Sequence, residues 1–273
     1  MKETINKLCK DIEKEYNINI LFCVESGSRV WGMASKDSDY DVRFVYTRPV
    51  EDYIQINLPK EVILRHYDKQ GEPCAAEGCF IDICGFDIFK FMRMLSSSNP
   101  TVIEWLKSDI EYCGKKPKKL IEFATNNFNP VSLYHHYKSM CRQNYLKYLK
   151  SGTLVTYKKY LYAMRGLVNA KFIVDSGILP PINFVHTLNA SFGFMPSNII
   201  FKLKEIIKLK RESKEKEIIK NEVRIDEYIE EFLKDDSDCP KAQSKATLTE
   251  LNEELRKLVL FRYKYPRLKM GVG

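Results

Sequence analysis

The chain has no long apolar run: stretches such as residues 20–24 are far too short to span a bilayer, so no membrane segment is expected. Its first residues, Met1-Lys-Glu-Thr-Ile-Asn-Lys, carry an acid and lack the apolar core and small-residue cleavage site of a secretory signal, so the cytoplasm is the expected setting. Internal repeats and low-complexity tracts are missing too. No Ser-His-Asp or Cys-His catalytic set can be assembled. Cysteine is present eight times but without tight pairing, which fits reduced thiols better than a disulfide framework. Cys74, Cys79 and Cys84 are spaced five and five, unlike a zinc ribbon, with no fourth partner nearby and His66 across an expected loop. These thiols read as small buried hydrophobes.

What is present is enough for a folded protein. The 273 residues are 44% hydrophobic and 12% aromatic, sufficient for two domains or one domain with a helical extension. A net charge of +8 favours polyanionic partners.

Ile5, Leu8, Ile12 and Tyr16 recur at helical spacing, predicting a helix over 3–16 ahead of an apolar strand over 18–25. Residues 40–46 alternate: Tyr40, Val42, Phe44 and Tyr46 point one way, Asp39, Asp41 and Arg43 the other. A third strand over 80–83 carries Asp82, and Asp87 can cap the helix that follows. Residues 48–78 read as irregular around a short strand near 61–66. Beyond residue 100 helices dominate, over 131–150, 153–175, 196–209, 218–234 and 247–263, the last with a Thr247/Glu250 capping box and a Leu248, Leu251, Leu255, Leu258 stripe. The charged run 208–216 and the polar stretch 235–245 read as solvated surface. The expectation is an α+β catalytic domain over 1–115 and an all-helical domain over 116–273.

The chemistry concentrates in Glu25-Ser-Gly-Ser-Arg-Val-Trp-Gly32 and Asp37-Ser-Asp-Tyr-Asp-Val-Arg43. Ser26, Gly27 and Ser28 end an apolar strand, where backbone N–H groups and a hydroxyl can face phosphate oxygens; a Gly-Ser pair after a strand is also an ordinary turn. Asp39 and Asp41 put two carboxylates on one side about 7 Å apart at the backbone, from a rise of ~3.3 Å per residue. That spacing suits a shared magnesium ion, with Asp82 the natural third ligand, since an acid among apolar neighbours is costly unless paired or bound to metal. The competing reading makes Asp37 and Asp39 an Asx turn and pairs Asp41 with Arg43 or another cation. Arg29 and Arg43 flank these elements and either contact phosphate or balance the carboxylates. Lys158 and Arg165 share a predicted helix with Tyr162, offering a triphosphate clamp and a stacking surface, or else solvated cations over core aromatics.

Gly27-Ser28, Asp39-x-Asp41 and a later-strand Asp82 resemble the signature of the DNA polymerase β nucleotidyltransferase superfamily. The string from Glu25 to Tyr46, with Asp82-Ile-Cys-Gly-Phe-Asp87, Ser98-Asn-Pro-Thr-Val-Ile-Glu-Trp-Leu106 and Tyr157-Lys-Lys-Tyr-Leu-Tyr-Ala-Met-Arg165, is similar to one branch, the YcgL-like or RlaP nucleotidyltransferases associated with RNA repair. The resemblance spans roughly 20–185. It implies a polymerase β-like fold, a mixed sheet with flanking helices, with Gly27 and Ser28 at the phosphates and Asp39, Asp41 and Asp82 holding Mg2+. Asp82, rather than Asp87, would activate the attacking hydroxyl. The implied reaction moves a nucleotide from an NTP to a hydroxyl, an RNA 3′ end such as that of a tRNA or a repaired RNA, with release of pyrophosphate. The alternatives are nucleotidylation of a small molecule or protein, and a non-catalytic nucleotide- or RNA-binding module.

Overall fold

Ile5, Leu8, Cys9 and Ile12 form one buried stripe, and the helix they drive, α1 (Lys2–Tyr16), stops where Asn17 turns left-handed at φ 50°. The computed structural model describes residues 1–152, 155–212, 217, 219–220, 222–235, 239–240 and 248–264. After α1 come β1 (Asn19–Ser26), the single turn α2 (Gly27–Val30), β2 (Tyr40–Thr47), β3 (Val62–Tyr67) and β4 (Ile81–Asp87). Next are α3 (Ile88–Ser96), α4 (Pro100–Lys107), β5 (Glu111–Gly114), α5 (Lys118–Asn126) and α6 (Pro130–Asn144). The described chain is completed by α7 (Tyr157–Ser176), α8 (Phe184–Ala190), α9 (Ser197–Glu212), α10 (Val223–Lys234) and α11 (Leu248–Lys264).

Backbone packing groups these into two units. The first takes in Met1–Gly27, Asp39–Phe128 and α11; the second takes in Ser28–Ser38 and the described residues from Asn129 to Lys245.

The first unit is built on a five-stranded sheet of order β3-β4-β2-β1-β5. β2 and β4 run parallel, and the remaining neighbours are antiparallel, which gives the expected mixed sheet. Val42, Phe44 and Tyr46 enter one core with the α1 stripe, Ile81 and Ile83, as their alternation predicts. On the opposite face Phe22 meets Phe91 edge-on at 5.7 Å, and Trp105 lies 4.5 Å from the Phe86 ring. Helices therefore cover both faces. The Asp87 side chain caps α3 by accepting from the Phe89 N–H, as its position predicts.

Gly85 pairs with Phe44 across the parallel strands, and a Cβ there would stand 2.1 Å from the Phe44 ring. Gly85→Val is expected to destabilise the protein by about 1–3 kcal/mol through overpacking, read as a lower midpoint in urea. An unchanged midpoint would show that the ring moves aside freely.

The second unit is helical among its described residues, with α7 packed on α6. Lys210, within the run expected to be solvated, is only 1% exposed: its Nζ donates to the Met33 carbonyl at 2.7 Å. A buried ammonium with an acceptor in place is a built contact, which charge density alone did not reveal. The helices α4, α5 and α8 and the strand β5 were not individually expected; their short periodic stretches sit between longer signals. Thr247 lies outside the described residues. In α11, Leu251 and Leu258 are buried but Leu248 is exposed, so the apolar stripe is narrower than the leucine spacing implies.

Candidate active site

A row of four residues crosses the sheet of the first unit. Ser26 stands opposite Asp41, Asp41 opposite Asp82, and Asp82 opposite His66, each pair in register on neighbouring strands. Because side chains directly opposite in a sheet share a face, the register alone aims Asp41 and Asp82 at the same space.

Arg43, two residues along β2 on that same face, reaches back between them. Its NH2 lies 2.8 Å from Asp41 Oδ1 and 2.8 Å from Asp82 Oδ2, and its NH1 donates to the Asp82 carbonyl at 2.8 Å. The side chain is 16% exposed against 29% and 27% for the two acids, so one cation is already held between two partly desolvated carboxylates. The pairing of Asp41 with Arg43 weighed against a metal is thus observed. It also demonstrates that both acids converge on a single positive centre.

Asp39 precedes β2 and is partly exposed. Burial, followed by the Asp82, Asp39 and Asp41 carboxylates, pushes the Cys79 thiol up. The sequence places His66 across a loop from Cys74, Cys79 and Cys84 and assigns it no place beside the acids. Instead β3 brings it beside β4, with Nδ1 3.1 Å from Asp82 Oδ1. Strand order across the 48–78 segment has no local sequence signal, so this neighbour was not foreseeable.

The end of β1 is fixed from below. Glu25 is completely buried; its Oε1 accepts from the Asp41 N–H at 2.8 Å and its Oε2 accepts from the Tyr112 hydroxyl. Burial and then the Glu25 carboxylate push the Tyr112 phenol up, keeping it a donor. Ser108 Oγ donates to the Glu25 carbonyl at 2.7 Å. Two positions on, Gly27 has φ +66°, and a Cβ there would fall 1.9 Å from Asp41 Oδ2. Only glycine lets this backbone approach the carboxylate so closely.

Asp87 does not join this row. Its Oδ1 caps α3, its Oδ2 accepts from the Tyr53 hydroxyl at 3.0 Å, and Arg48 Nε is 3.8 Å away. Burial raises its pKa despite those partners. The folded state therefore binds this proton more tightly than the unfolded chain, so stability declines as pH rises from the ordinary aspartate value to the raised folded one, then levels off. Asp87→Asn keeps a capping oxygen. It is expected to flatten that decline while staying within about 1 kcal/mol of the parent at neutral pH, measured by urea unfolding across pH. A catalytic failure of Asp87→Asn with its stability intact would contradict the structural role.

In the second unit, residues 28–38, the rest of the turn α2 and the loop that follows it, are held by several donors. Met33 N–H donates to the Ser28 carbonyl at 2.8 Å, Phe184 N–H to the Trp31 carbonyl at 3.0 Å, and Arg211 Nε to the Gly32 carbonyl at 3.1 Å. Ser28 is 4% exposed, and Arg29 donates to the Ser38 carbonyl. The Arg165 guanidinium is stacked 3.8 Å over the Trp31 ring. Trp31 meets Tyr162 edge-on at 5.5 Å, and Lys158 lies 5.7 Å over Tyr162. Lys158, Tyr162 and Arg165 thus share a stripe, as their spacing predicts, with Trp31 added by the fold. Arg165 is 3% exposed, which gives it a packing contact in addition to its charge.

Two facing carboxylates with a third acid nearby can hold a hard divalent cation through oxygen. Among the described residues no helix is long and apolar enough to cross a membrane.

A family model described as RlaP, RNA repair pathway DNA polymerase beta family, matches residues 1–257. The uncharacterized protein YcgL of Bacillus subtilis (strain 168) is 33% identical over 265 residues, covering 95% of each chain. Spectinomycin adenyltransferase AAD(9) from Enterococcus faecialis, solved with ATP and spectinomycin, superposes at a TM-score of 0.48 and 14% identity, over 85% of this chain and 99% of its own. A nucleotidyltransferase-like protein from Exiguobacterium sibiricum 255-15 gives 0.31 and 12%, over 98% and 96%.

Proposed function

The chain belongs to the RlaP family, the RNA repair pathway DNA polymerase beta family, and is a nucleotidyltransferase; from that premise we propose that it moves a nucleotide from an NTP to a hydroxyl at an RNA 3′ end, with Mg2+ and release of pyrophosphate. The observation that carries the reading is the in-register pair Asp41 and Asp82 bridged by one cation. Two carboxylates that the fold already turns toward one positive charge can hold a divalent cation through oxygen, in place of the guanidinium or beside it, and Asp39 supplies a further oxygen. Bound there, Mg2+ would neutralise charge around the α-phosphate and brace the attacking and leaving oxygens.

The protein's own groups do the rest. Asp82 is assigned the attacking hydroxyl's proton, and His66 at 3.1 Å orients that carboxylate. Gly27 and Ser28 are assigned the triphosphate, through backbone N–H groups at the end of β1. Arg29, Lys158 and Arg165 are assigned to the nucleotide by their charge and by the Tyr162 and Trp31 rings beside the last two. Pyrophosphate leaves without a covalent enzyme intermediate, so alignment and charge carry the catalysis. RNA as acceptor is supported by the family description and the +8 net charge. The eight free cysteines fit a reducing cytoplasm.

The test supplies each of the four NTPs, α-labelled, with Mg2+ and a pool of small RNAs, against the Asp39→Ala/Asp41→Ala double variant. Label on RNA that disappears in the double variant is expected, and the labelled nucleotide identifies the donor. Label on a small molecule or on protein instead would replace the RNA acceptor. NTP binding that is indifferent to Mg2+, with no pyrophosphate formed, would mean a binding module.

A further inference from the structure

Three cysteines far apart in sequence meet in the first unit. Cys9 comes from α1, Cys23 from β1 and Cys113 from β5, and their sulfurs all lie within 4.8 Å of one another, with Cys9 and Cys23 3.6 Å apart. Cys23 and Cys113 are directly opposed across the β1/β5 ladder. A metal bonded to sulfur at about 2.3 Å in tetrahedral geometry separates its sulfurs by roughly 3.8 Å. The observed spacing is that of one edge of such a site before any ion is considered.

The surroundings select the kind of ion. Cys9 and Cys23 are 2% and 0% exposed, within the core that contains Ile5, Leu8, Ile12 and Ile20. Cys113 is partly exposed and so provides a way in. A hard cation would be poorly served by sulfur in an apolar setting, whereas thiolates favour soft or borderline ions.

We propose that Cys9, Cys23 and Cys113 form a three-sulfur site for one thiophilic d10 cation, Zn2+ or Cu+, that clips α1 to β1 and β5. The ion forms bonds to the three sulfurs, and the thiol protons it displaces leave to solvent; no electron transfer is involved. Such a clip adds to the packing, to the β1/β5 ladder and to the Ile20 N–H that donates to Glu13 Oε1 of α1 at 2.9 Å, and its binding free energy adds to folding. It is independent of the carboxylate site, whose oxygens serve a different class of ion.

The experiment uses the full chain, reduced, stripped with chelator and kept anaerobic, then given one equivalent of Zn2+ or Cu+ and desalted. Metal content and melting temperature are measured for the parent and for Cys113→Ala, Cys74→Ala and Asp39→Ala/Asp41→Ala. The parent, Cys74→Ala and the aspartate variant are expected to retain one ion and to melt higher with it. Cys113→Ala is expected to retain none and to show no shift, and the zinc and copper arms identify the ion. If Cys113→Ala does not fold, Co2+ in the parent decides, through the presence or absence of sulfur-to-metal charge-transfer absorption. An apo parent that folds but retains neither ion, retention unaffected by Cys113→Ala, or retention lost only with the aspartates would each overturn the proposal.

Discussion

Asp41→Asn is expected to lower nucleotide transfer by at least about a thousandfold, on the basis that the charge stabilisation supplied through a metal site is worth several kcal/mol and each 1.4 kcal/mol is tenfold. The amide keeps the volume of the acid but removes the charge that Asp41 turns toward Asp82 and Arg43. Arg43 retains Asp82 and two backbone carbonyls, Val42 and Asp82, so the strand end should stay folded. The loss should fall mainly on kcat, because the interaction removed is one that strengthens as charge develops in the transition state.

Arg43 gives this prediction a second arm. Its guanidinium occupies the space where the two carboxylates converge, so in the parent any divalent ion competes with it or shares the acids with it. In Arg43→Ala the acids face one another without that cation, and the rise in melting temperature on adding Mg2+ should exceed the parent's. Asp41→Asn should show a smaller rise than the parent. Turnover within tenfold of the parent in Asp41→Asn, together with an unchanged Mg2+ response, would remove Asp41 from the metal site.

Gly27→Ala is the second large effect, expected to reduce transfer by about a hundredfold or more, the scale on which a misplacement near 1 Å acts. Two costs combine at this position. The backbone sits at φ +66°, which an L-residue adopts at a cost of about 1–2 kcal/mol. The new methyl would also stand 1.9 Å from Asp41 Oδ2, so either the carboxylate rotates away or the end of β1 moves. Both responses disturb the alignment between Asp41 and its partner Asp82. Gly78→Ala separates the two costs: its φ is +82° with nothing within 4 Å of the added atom. That variant should lose comparable stability in urea while keeping its turnover. Equal activity losses in the two variants would mean that backbone conformation, and not the approach to Asp41, makes Gly27 matter.

Residues 40–46 show how much of the site was legible. Alternation of aromatic and charged residues fixed which side chains face the core and which face outward, and the structure follows it: Phe44 and Tyr46 are fully buried, while Asp41 and Arg43 are partly exposed. The α1 stripe and the Asp87 cap were legible for the same reason. Each depends on residues a few positions apart, and local periodicity carries that information. The motif from Glu25 to Tyr46 likewise pointed to the family that the whole-chain match establishes.

The partners across the sheet were not legible. That His66 adjoins Asp82, that Glu25 accepts from the Asp41 N–H, and that Lys210 is buried against the Met33 carbonyl all depend on strand order or on helix packing over long sequence separations. The cysteines make the contrast sharpest. Spacing drew attention to Cys74, Cys79 and Cys84, whereas the trio that meets is Cys9, Cys23 and Cys113. By itself the sequence determined the faces of the elements and the acids available for chemistry, because those follow from periods of two and 3.6. Only the tertiary structure decided which side chains stand beside one another, because neighbours in a sheet are chosen by the burial of whole faces and leave no mark on the local pattern.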